Sequence, residues 1–400
     1  MRSFEFCNPV RIYFGNGIRK KIGETLEGVY TKILLVCNQG PFHENGLYDE
    51  VVSDLEAHGI QVFHMKDVEQ NPKLSSIREG TEICRRHEIP AVMALGSGSA
   101  IDCVKGIASA AAMGCDPYDL YWGKRVAVTK SLDMITIPTM AATGSEINNG
   151  SVAVNEETKE KYYFTSEFPK MAFLDPEITL TVPKHLTIWA GMDILSHTFE
   201  YYFNGDDSSE FQTALSEALI SSTMRGLEVL SENPLDLKAR GEILWCASMT
   251  WGFGLTKIGR GEADMACHGI EESFSGYFDT HHGACLGVLT PRWMRRVCAE
   301  HPGIFARFAR NIMNVREADD KAAARMGVEA YVKWLKSVGA PDTYFDIGDR
   351  AFSDEELERV AETACRIYGG GVGHLHRFDK KETLELLQSG RTALSTYGEV

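Results

Sequence analysis

The residues of this sequence best suited to chemistry are Asp193 and His197, four positions apart in the segment AGMDILSH. On a helix, positions i and i+4 lie on one face, so both side chains can reach a common point. Further along the chain, His268 and His282 each precede a glycine and add two imidazoles. One carboxylate and three neutral imidazoles would leave a bound divalent cation with one excess positive charge, which suits binding of an oxygen atom.

A hydrogen-bonded surface pair is the alternative interpretation of Asp193 and His197, because this spacing is common by chance. The residues around the pair are largely apolar and include Trp189, Met192, Ile194, Leu195 and Phe199. Asp and His side chains that are buried among such residues need polar partners. The segment therefore favours a metal site, for which Fe(II), Zn(II), Ni(II), Mn(II) and Co(II) are all suitable.

Length and composition indicate a folded protein of two domains. The chain has 400 residues, of which 44% are hydrophobic. This length exceeds what a single hydrophobic core usually supports. Its formal charge of −15 argues against a nucleic-acid partner. We expect a cytoplasmic protein without a membrane segment, since the first residues, MRSFEFCNPV, lack a leader pattern. The ten cysteines include no C-x-x-C pair, and we expect them to be reduced.

The first 183 residues alternate short apolar runs with amphipathic segments. Strands are predicted at 32–37, 60–65, 91–95 and 134–137, and helices at 47–58, 74–87 and 100–113. Such alternation is typical of a parallel sheet with helices on both faces, which binds ligands beyond the carboxyl ends of its strands.

Helical patterns dominate after residue 183. They are predicted at 210–230, 240–251, 292–310, 321–338 and 354–368, with no convincing strand. We therefore expect an α/β domain at 1–183 and an all-α domain at 184–400, with the metal site in the cleft between them.

Two loops of the first domain are suited to holding a dinucleotide. Gly96, Ser97 and Gly98 follow a strand and precede an alanine-rich helix, where small residues and free N–H groups can hold a pyrophosphate. Ser99 could cap that helix with Asp102 as its partner. A tight strand-to-helix turn is the alternative, because the third glycine of G-x-G-x-x-G is absent.

The second loop, PTMAATGSE, follows the strand predicted at 134–137 and contains Thr139, Met140 and Thr143. Ordinary turn capping is the alternative role of the threonines. Two such loops at neighbouring strand ends could hold the two ends of one extended dinucleotide.

Together these motifs resemble the iron-containing alcohol dehydrogenase family, and within it the butanol dehydrogenase and broad aldehyde reductase branch. The matching stretches, in family order, are ALGSGSAIDCVKGIA, IPTMAATGSEINNGSV, FLDPEITLTVP, AGMDILSHTFEYYF and CHGIEESFSGYFDTHHGACLG. The resemblance implies a dehydroquinate-synthase-like architecture with an N-terminal dinucleotide-binding domain, a C-terminal helical domain and a homodimeric assembly.

The resemblance also assigns site residues. It implies that Asp193, His197, His268 and His282 bind the metal, iron in the family, and that His281 is a cleft or surface residue. For the cofactor it points to Asn71, Gly98, Ser99, Asp102, Thr139, Thr143 and Lys161.

The residues after the first predicted strand are Asn38 and Gln39, where relatives that prefer NAD often carry an aspartate. A neutral residue removes the repulsion of a 2′-phosphate, so NADP(H) is favoured over NAD(H). No nearby arginine or lysine supports that preference.

One position departs from the family pattern. Many relatives have a second histidine four residues after the third metal ligand, and this chain has Glu272. Glu272 could serve as a polar or proton-relaying group, and solvent or the ribose hydroxyls are the alternatives.

The predicted function is hydride transfer between a nicotinamide cofactor and short-chain aldehydes or primary alcohols. The alternatives are a zinc glycerol dehydrogenase, or a dehydroquinate-synthase-like lyase using Lys257 and Arg260 for a phosphate-bearing substrate. A catalytically silent metal- and nucleotide-binding scaffold is a further alternative, against which the presence of all four ligand types speaks.

Overall fold

The computed structural model describes residues 1–40, 43–348 and 350–396. It divides into two compact units. The sheet unit contains residues 7–183 and 235–253, and the helical unit contains residues 1–6, 184–234 and the described residues from 254 onward. Residues 235–253 therefore pack with the sheet unit although they lie within the helical half of the sequence.

The sheet unit is built on a six-stranded parallel sheet in the order β1-β8-β5-β4-β2-β3. Its strands are β1 (Arg11–Phe14), β2 (Lys32–Asn38), β3 (Gln61–Val68), β4 (Ala91–Gly96), β5 (Asp133–Pro138) and β8 (Met171–Leu174). A separate antiparallel pair consists of β6 (Gly150–Val154) and β7 (Lys161–Thr165). Gly96 at the end of β4 pairs with Pro138 at the end of β5, so the loops after these strands begin side by side.

The helices of the sheet unit lie between its strands in sequence, except for the last helix, which follows all the strands. They are α1 (Ile22–Leu26), α2 (Leu47–Ala57), α3 (Leu74–His87), α4 (Gly98–Met113), α5 (Tyr118–Tyr121) and α8 (Leu237–Ala247). Short 3-10 segments occur at Ile18–Lys21, Ser145–Ile147 and Ile178–Thr181, and a π-helical turn, Ser248–Gly252, follows α8.

Strands β2 to β5 confirm the sequence prediction to within a few residues, because β2, β4 and β5 are buried, mostly apolar runs and β3 begins with a short apolar segment. The prediction missed β1, β6, β7 and β8. These strands are only four or five residues long, and β1 has no fully buried residue, so their hydrophobic pattern is weak.

The helical unit consists of helices joined by loops. They are α6 (Lys184–Tyr202), α7 (Glu210–Glu232), α9 (Ala266–Phe278), α10 (His282–Val297), α11 (Pro302–Asn311), α12 (Asp320–Val338), α13 (Asp354–Ile367) and α14 (Lys380–Ser389). A 3-10 turn occurs at Tyr344–Asp346. The single helix predicted at 292–310 is wrong, because the chain ends one helix at Val297 and begins another at Pro302, a residue preferred in the first helical turn.

Helix α6 lies at the centre of the helical unit. All but one of its residues from Thr187 to Tyr202 are buried, which is typical of a helix surrounded on every side. Its apolar side chains join a large core with α7, α9, α10, α11 and α12. The polar residues of α6 are thus held in fixed positions by dense packing.

The helices of the described residues include none that combines the length and the apolar character needed to cross a bilayer.

Candidate active site

Helix α6 brings the first two proposed ligands together. Asp193 Oδ1 lies 3.2 Å from His197 Nε2, and both side chains are almost completely buried. Their spacing of four residues puts them on one face of the helix, as the sequence predicts.

Two other helix ends complete the cluster. His268 lies in the first turn of α9 and His282 is the first residue of α10. Asp193 Oδ1 lies 3.6 Å from His268 Nε2 and 3.5 Å from His282 Nε2. The structure thus places an Nε2 atom of each of the three predicted histidine ligands around one carboxylate oxygen of Asp193.

The residues present fit a metal ion. In a tetrahedral site with bonds of about 2.1 Å, neighbouring ligand atoms are about 3.4 Å apart, close to the three distances observed. Asp193 Oδ1 and His268 Nε2 are buried, and neither has a hydrogen-bond partner among the described residues. Buried polar atoms of this kind call for a ligand.

Two buried carboxyl groups that the sequence analysis missed support the imidazoles from behind. Glu271 accepts a hydrogen bond from His282 Nδ1. Glu200 lies 3.6 Å from His197 Nδ1 through one oxygen and in close contact with His268 Nδ1 through the other. A carboxylate at Nδ1 fixes the tautomer that presents Nε2 to a metal. A signal was available, since an acid follows both His197 and His268 by three residues.

The electrostatics of the cluster favour ionised carboxylates. Burial opposes ionisation of Asp193, but His197, His282 and His268 outweigh it and lower the pKa of its carboxyl. Burial alone would lower the pKa of His268, but Glu200 and Asp193 raise it to about 10. Ionised Glu200 would add a negative charge beside the ligands, opposite in sign to the excess charge that the four ligands alone would leave with a dication.

Glu272 lies one turn after His268 on α9 and is half-buried. Its carboxylate accepts a hydrogen bond of 3.0 Å from the hydroxyl of Tyr368. The neighbouring Gly269 leaves room for the Tyr368 ring, 2.8 Å from where a Cβ would stand. Tyr368 therefore holds in place the carboxylate of Glu272, the residue that departs from the family pattern.

His281, which the sequence analysis expects in a cleft or on the surface, immediately precedes α10. Its ring centroid lies 5.2 Å from that of Trp189 on α6. Burial and the adjacent His282 lower the pKa of His281 to about 4, and its Nδ1 has no hydrogen-bond partner among the described residues. His281 thus lies next to the proposed ligand His282, in surroundings that disfavour its charged form.

A close backbone approach sets the distance between α6 and α10. A Cβ on Gly283 would overlap the carbonyl oxygen of Trp189, stand 2.9 Å from its carbonyl carbon and lie 3.3 Å from Asp193 Cβ. Only glycine after His282 lets α10 begin this close to the Asp193 turn.

The predicted cofactor residues lie at the carboxyl ends of β2, β4 and β5 in the sheet unit. Asn38 is buried, donates from Nδ2 to the Val68 carbonyl (3.0 Å) and accepts at Oδ1 from the Ser97 amide (2.8 Å) and hydroxyl (2.9 Å). A Cβ on Gly96 would lie 2.5 Å from the same Oδ1. Asn38 therefore fastens the glycine-containing loop to β3, and Gln39 follows it in an exposed position.

The two loops predicted to hold the dinucleotide are in contact. Thr139 N donates to the Gly96 carbonyl (3.0 Å), and a Cβ on Gly98 would lie 3.0 Å from Thr143 Oγ1. Met140, next to Thr139, is half-buried.

The predicted cap of α4 is wrong, because the helix begins at Gly98 and its N-cap is Ser97. Ser99 instead donates to the Gln70 carbonyl, next to Asn71. Asp102 accepts from the Ser145 hydroxyl (2.6 Å) and the Val152 amide (3.1 Å), so its side chain ties α4 to the second loop and β6.

Two more predicted cofactor residues meet on β7 and the loop after β3. Lys161 Nζ donates to Asn71 Oδ1 (3.3 Å), and both side chains are buried.

A buried lysine outside the predicted set donates hydrogen bonds to the second loop, PTMAATGSE, and to the residues that follow it. Lys105 on α4 donates to Ser145 Oγ (2.7 Å), Asn148 Oδ1 (2.8 Å) and the Gly150 carbonyl (2.6 Å). Within the same unit, Ser248 of the π-helical turn donates to the Glu146 carboxylate, and a Cβ on Gly144 would lie 2.8 Å from the amide nitrogen of Gly252.

Of the two residues proposed for a phosphate-binding lyase, Arg260 has other contacts. Arg260 donates to the Thr213 hydroxyl (2.6 Å) and the Asp206 carbonyl, which makes it a structural residue.

A parallel-sheet unit, together with a helical unit that places three His around one Asp, is the arrangement expected of a metal-dependent dehydrogenase. The family model "Iron-containing alcohol dehydrogenase" matches residues 9–176, and the model "Fe-containing alcohol dehydrogenase family, C-terminal" matches residues 187–390. The chain belongs to the iron-containing alcohol dehydrogenase family and is an oxidoreductase.

Known proteins resemble it over nearly their whole length. The chain is 34% identical to the probable NADH-dependent butanol dehydrogenase 1 of Bacillus subtilis, over 97% of this chain and 100% of that protein. It is 24% identical to the NADPH-dependent aldehyde reductase YqhD of Escherichia coli, over 87% and 90%. The crystal structure of NADH-dependent butanol dehydrogenase A from Thermotoga maritima superposes with a TM-score of 0.91 at 33% identity, covering 98% and 99%.

Proposed function

We propose that the protein transfers a hydride between a nicotinamide dinucleotide and short-chain aldehydes or primary alcohols. One observation carries the proposal: three imidazole Nε2 atoms lie 3.2 to 3.6 Å from the buried Oδ1 of Asp193. The butanol dehydrogenases and the aldehyde reductase among the relatives support the substrate class.

The four ligands Asp193, His197, His268 and His282 would hold the metal, for which Fe(II) is the first choice within this family. A bound divalent metal would supply Lewis acidity toward an alcohol or carbonyl oxygen. Buried carboxylates lie at the Nδ1 atoms of these imidazoles, where a carboxylate favours the tautomer that presents Nε2 to a metal. Glu272, held by Tyr368, is a carboxylate that could exchange a proton with the substrate, besides solvent and the ribose hydroxyls.

The cofactor is proposed to lie along the loops that contain Asn38, Gly98, Thr139 and Thr143 in the sheet unit. A preference for NADP(H) rests on the neutral Asn38, because it would not repel a 2′-phosphate. The butanol dehydrogenases named as NADH-dependent point the other way. Initial rates with NADPH and NADH at equal concentrations decide between them.

The test is oxidation of NADPH and NADH with butanal and other short aldehydes. We expect turnover that chelation abolishes and that Fe(II) or Zn(II) restores, with metal content measured after anaerobic purification. His268→Ala should abolish turnover and leave cofactor binding, followed by nicotinamide fluorescence, largely intact. No turnover in any metal form of the wild type would contradict the proposal.

Three broader features belong to the same proposal: dinucleotide binding by 1–183, metal and substrate binding by 184–400, and a cytoplasmic homodimer. Strand β1 supports the dimer, because it is the edge of the sheet and carries the exposed Phe14, whose ring meets the exposed Trp245 (5.5 Å). Light scattering after size-exclusion chromatography measures the oligomer.

A further inference from the structure

Glu200 lies between two of the proposed metal ligands. It follows His197 by three residues on α6, and its side chain is 3% exposed. One carboxylate oxygen contacts His268 Nδ1 closely, and the other lies 3.6 Å from His197 Nδ1. Each oxygen of one carboxylate therefore faces a different imidazole.

The two imidazoles are arranged as a pair. Their ring centroids are 4.3 Å apart and their planes differ by 19°, so the rings stack and point the same way. Both Nδ1 atoms face Glu200, and both Nε2 atoms face Asp193 Oδ1. A neutral imidazole has one N–H donor and one acceptor, so a proton on Nδ1 leaves the Nε2 lone pair free for a metal.

We propose that Glu200 is a positioning residue that accepts hydrogen bonds from Nδ1 of both His197 and His268 and so fixes two of the three imidazole ligands. The inference rests on the metal site of the proposed function. One carboxylate oxygen is in close contact with His268 Nδ1, and the other lies 3.6 Å from His197 Nδ1, near enough for each ring to be served by its own oxygen.

Glu271 provides the matched comparison. It is also a buried carboxylate, and its hydrogen bond to a proposed ligand is the one that it accepts from His282 Nδ1. A glutamine amide has one acceptor oxygen and one donor nitrogen. At position 271 the amide oxygen still accepts the single N–H. At position 200 the amide nitrogen faces a second N–H, and one imidazole must move its proton to Nε2, where it can no longer bind a metal.

The experiment compares Glu200→Gln with Glu271→Gln in the full-length protein loaded with Zn(II) or Co(II). Metal affinity is measured by competition with a chromophoric chelator, and the visible spectrum of the Co(II) form reports the number of ligands. We expect affinity to fall about 100-fold in Glu200→Gln, with loss of the four-coordinate Co(II) bands, and about 10-fold or less in Glu271→Gln.

Equal losses in the two variants, or wild-type affinity in Glu200→Gln, would overturn the inference, because Glu200 would then serve one ring at most. Thermal unfolding and cofactor fluorescence show whether each variant folds. For a Glu200 variant that does not fold, ¹⁵N-histidine NMR of the Zn(II)-loaded wild type replaces it: Nδ1–H on both rings supports the inference, and metal bound through Nδ1 of either ring refutes it.

The outcomes separate this inference from the proposed function. If the wild type turns over no alcohol or aldehyde but the variants show the predicted order of metal affinities, the proposed function is refuted and the role of Glu200 is supported. If the wild type turns over normally but the two variants lose equal metal affinity, only the role of Glu200 is refuted.

Discussion

Replacement of Gly283 by alanine should separate two of the proposed metal ligands. The new Cβ would overlap the Trp189 carbonyl oxygen, whereas ordinary contact begins at 3.4 Å. Because neither helix can compress, the start of α10 must retreat from α6 by roughly 1 Å. The retreat moves His282 away from Asp193, and metal sites tolerate deviations of only about 0.2 Å. We expect most bound metal to be lost and kcat/KM to fall by about 100-fold or more.

The assays are metal analysis after dialysis, turnover of butanal with NADH or NADPH, and thermal unfolding. Overpacking should cost about 1–3 kcal/mol of folding stability, so the variant should still fold and bind cofactor. Gly303→Ala is the matched control, since a Cβ on this helical glycine meets nothing within 4 Å. The control should keep its metal and be slightly stabilised. Wild-type metal content and turnover in Gly283→Ala would refute the reasoning.

Three further predictions concern the sheet unit and the core. Asn38→Asp should shift selectivity toward NADH, and an unchanged NADPH/NADH rate ratio would count against Asn38 as the residue that sets the preference. The variant should also destabilise the fold by about 1–3 kcal/mol, because the hydrogen-bond donor to the Val68 carbonyl is lost. Burial lowers the pKa of Lys105 from 10.5 to about 8, so between these values the unfolded chain binds more protons and stability rises with pH. Between these two pH values, the free energy of unfolding of the wild type, measured in urea, should therefore rise by about 3 kcal/mol relative to that of Lys105→Met. A difference between the two proteins that stays constant with pH would disprove this prediction. Arg292→Met should lower the free energy of unfolding by at least about 3 kcal/mol, because the buried guanidinium donates to four carbonyls. The control Arg78→Met removes an exposed ion pair and should lower it by under about 1 kcal/mol. Equal losses in thermal unfolding would contradict this.

The parts of the fold that could be predicted are those with strong local patterns. Strands β2, β4 and β5 are largely continuous apolar runs, and α3 matches its predicted bounds because its apolar face repeats with helical period. Strand β1 and the β6–β7 pair escaped prediction because they are short and partly exposed. The grouping of 235–253 with the sheet unit depends on tertiary contacts, which a helical pattern does not encode.

The cluster around Asp193 could be predicted because Asp193 and His197 share a helix face and the family motif supplies His268 and His282. Glu200 was missed although it is three residues from His197, since its partner His268 is distant in sequence. The cap assigned to Ser99 was wrong because Ser97 occupies that position and Ser99 bonds to the Gln70 carbonyl instead. Local spacing thus predicts pairs on one element, and contacts between elements need the fold.

The π-helical turn Ser248–Gly252 has a consequence for recombining members of this family. Its Ser248 donates to Glu146, and Gly252 and Gly144 approach each other closely, so the loop next to Thr143 depends on residues encoded some hundred positions later. A chimaera joined at 183 and 184 would pair the loop of one parent with the turn of another. Exchanging residues 235–253 together with the first half keeps these partners from the same parent, and we expect only such chimaeras to retain cofactor binding.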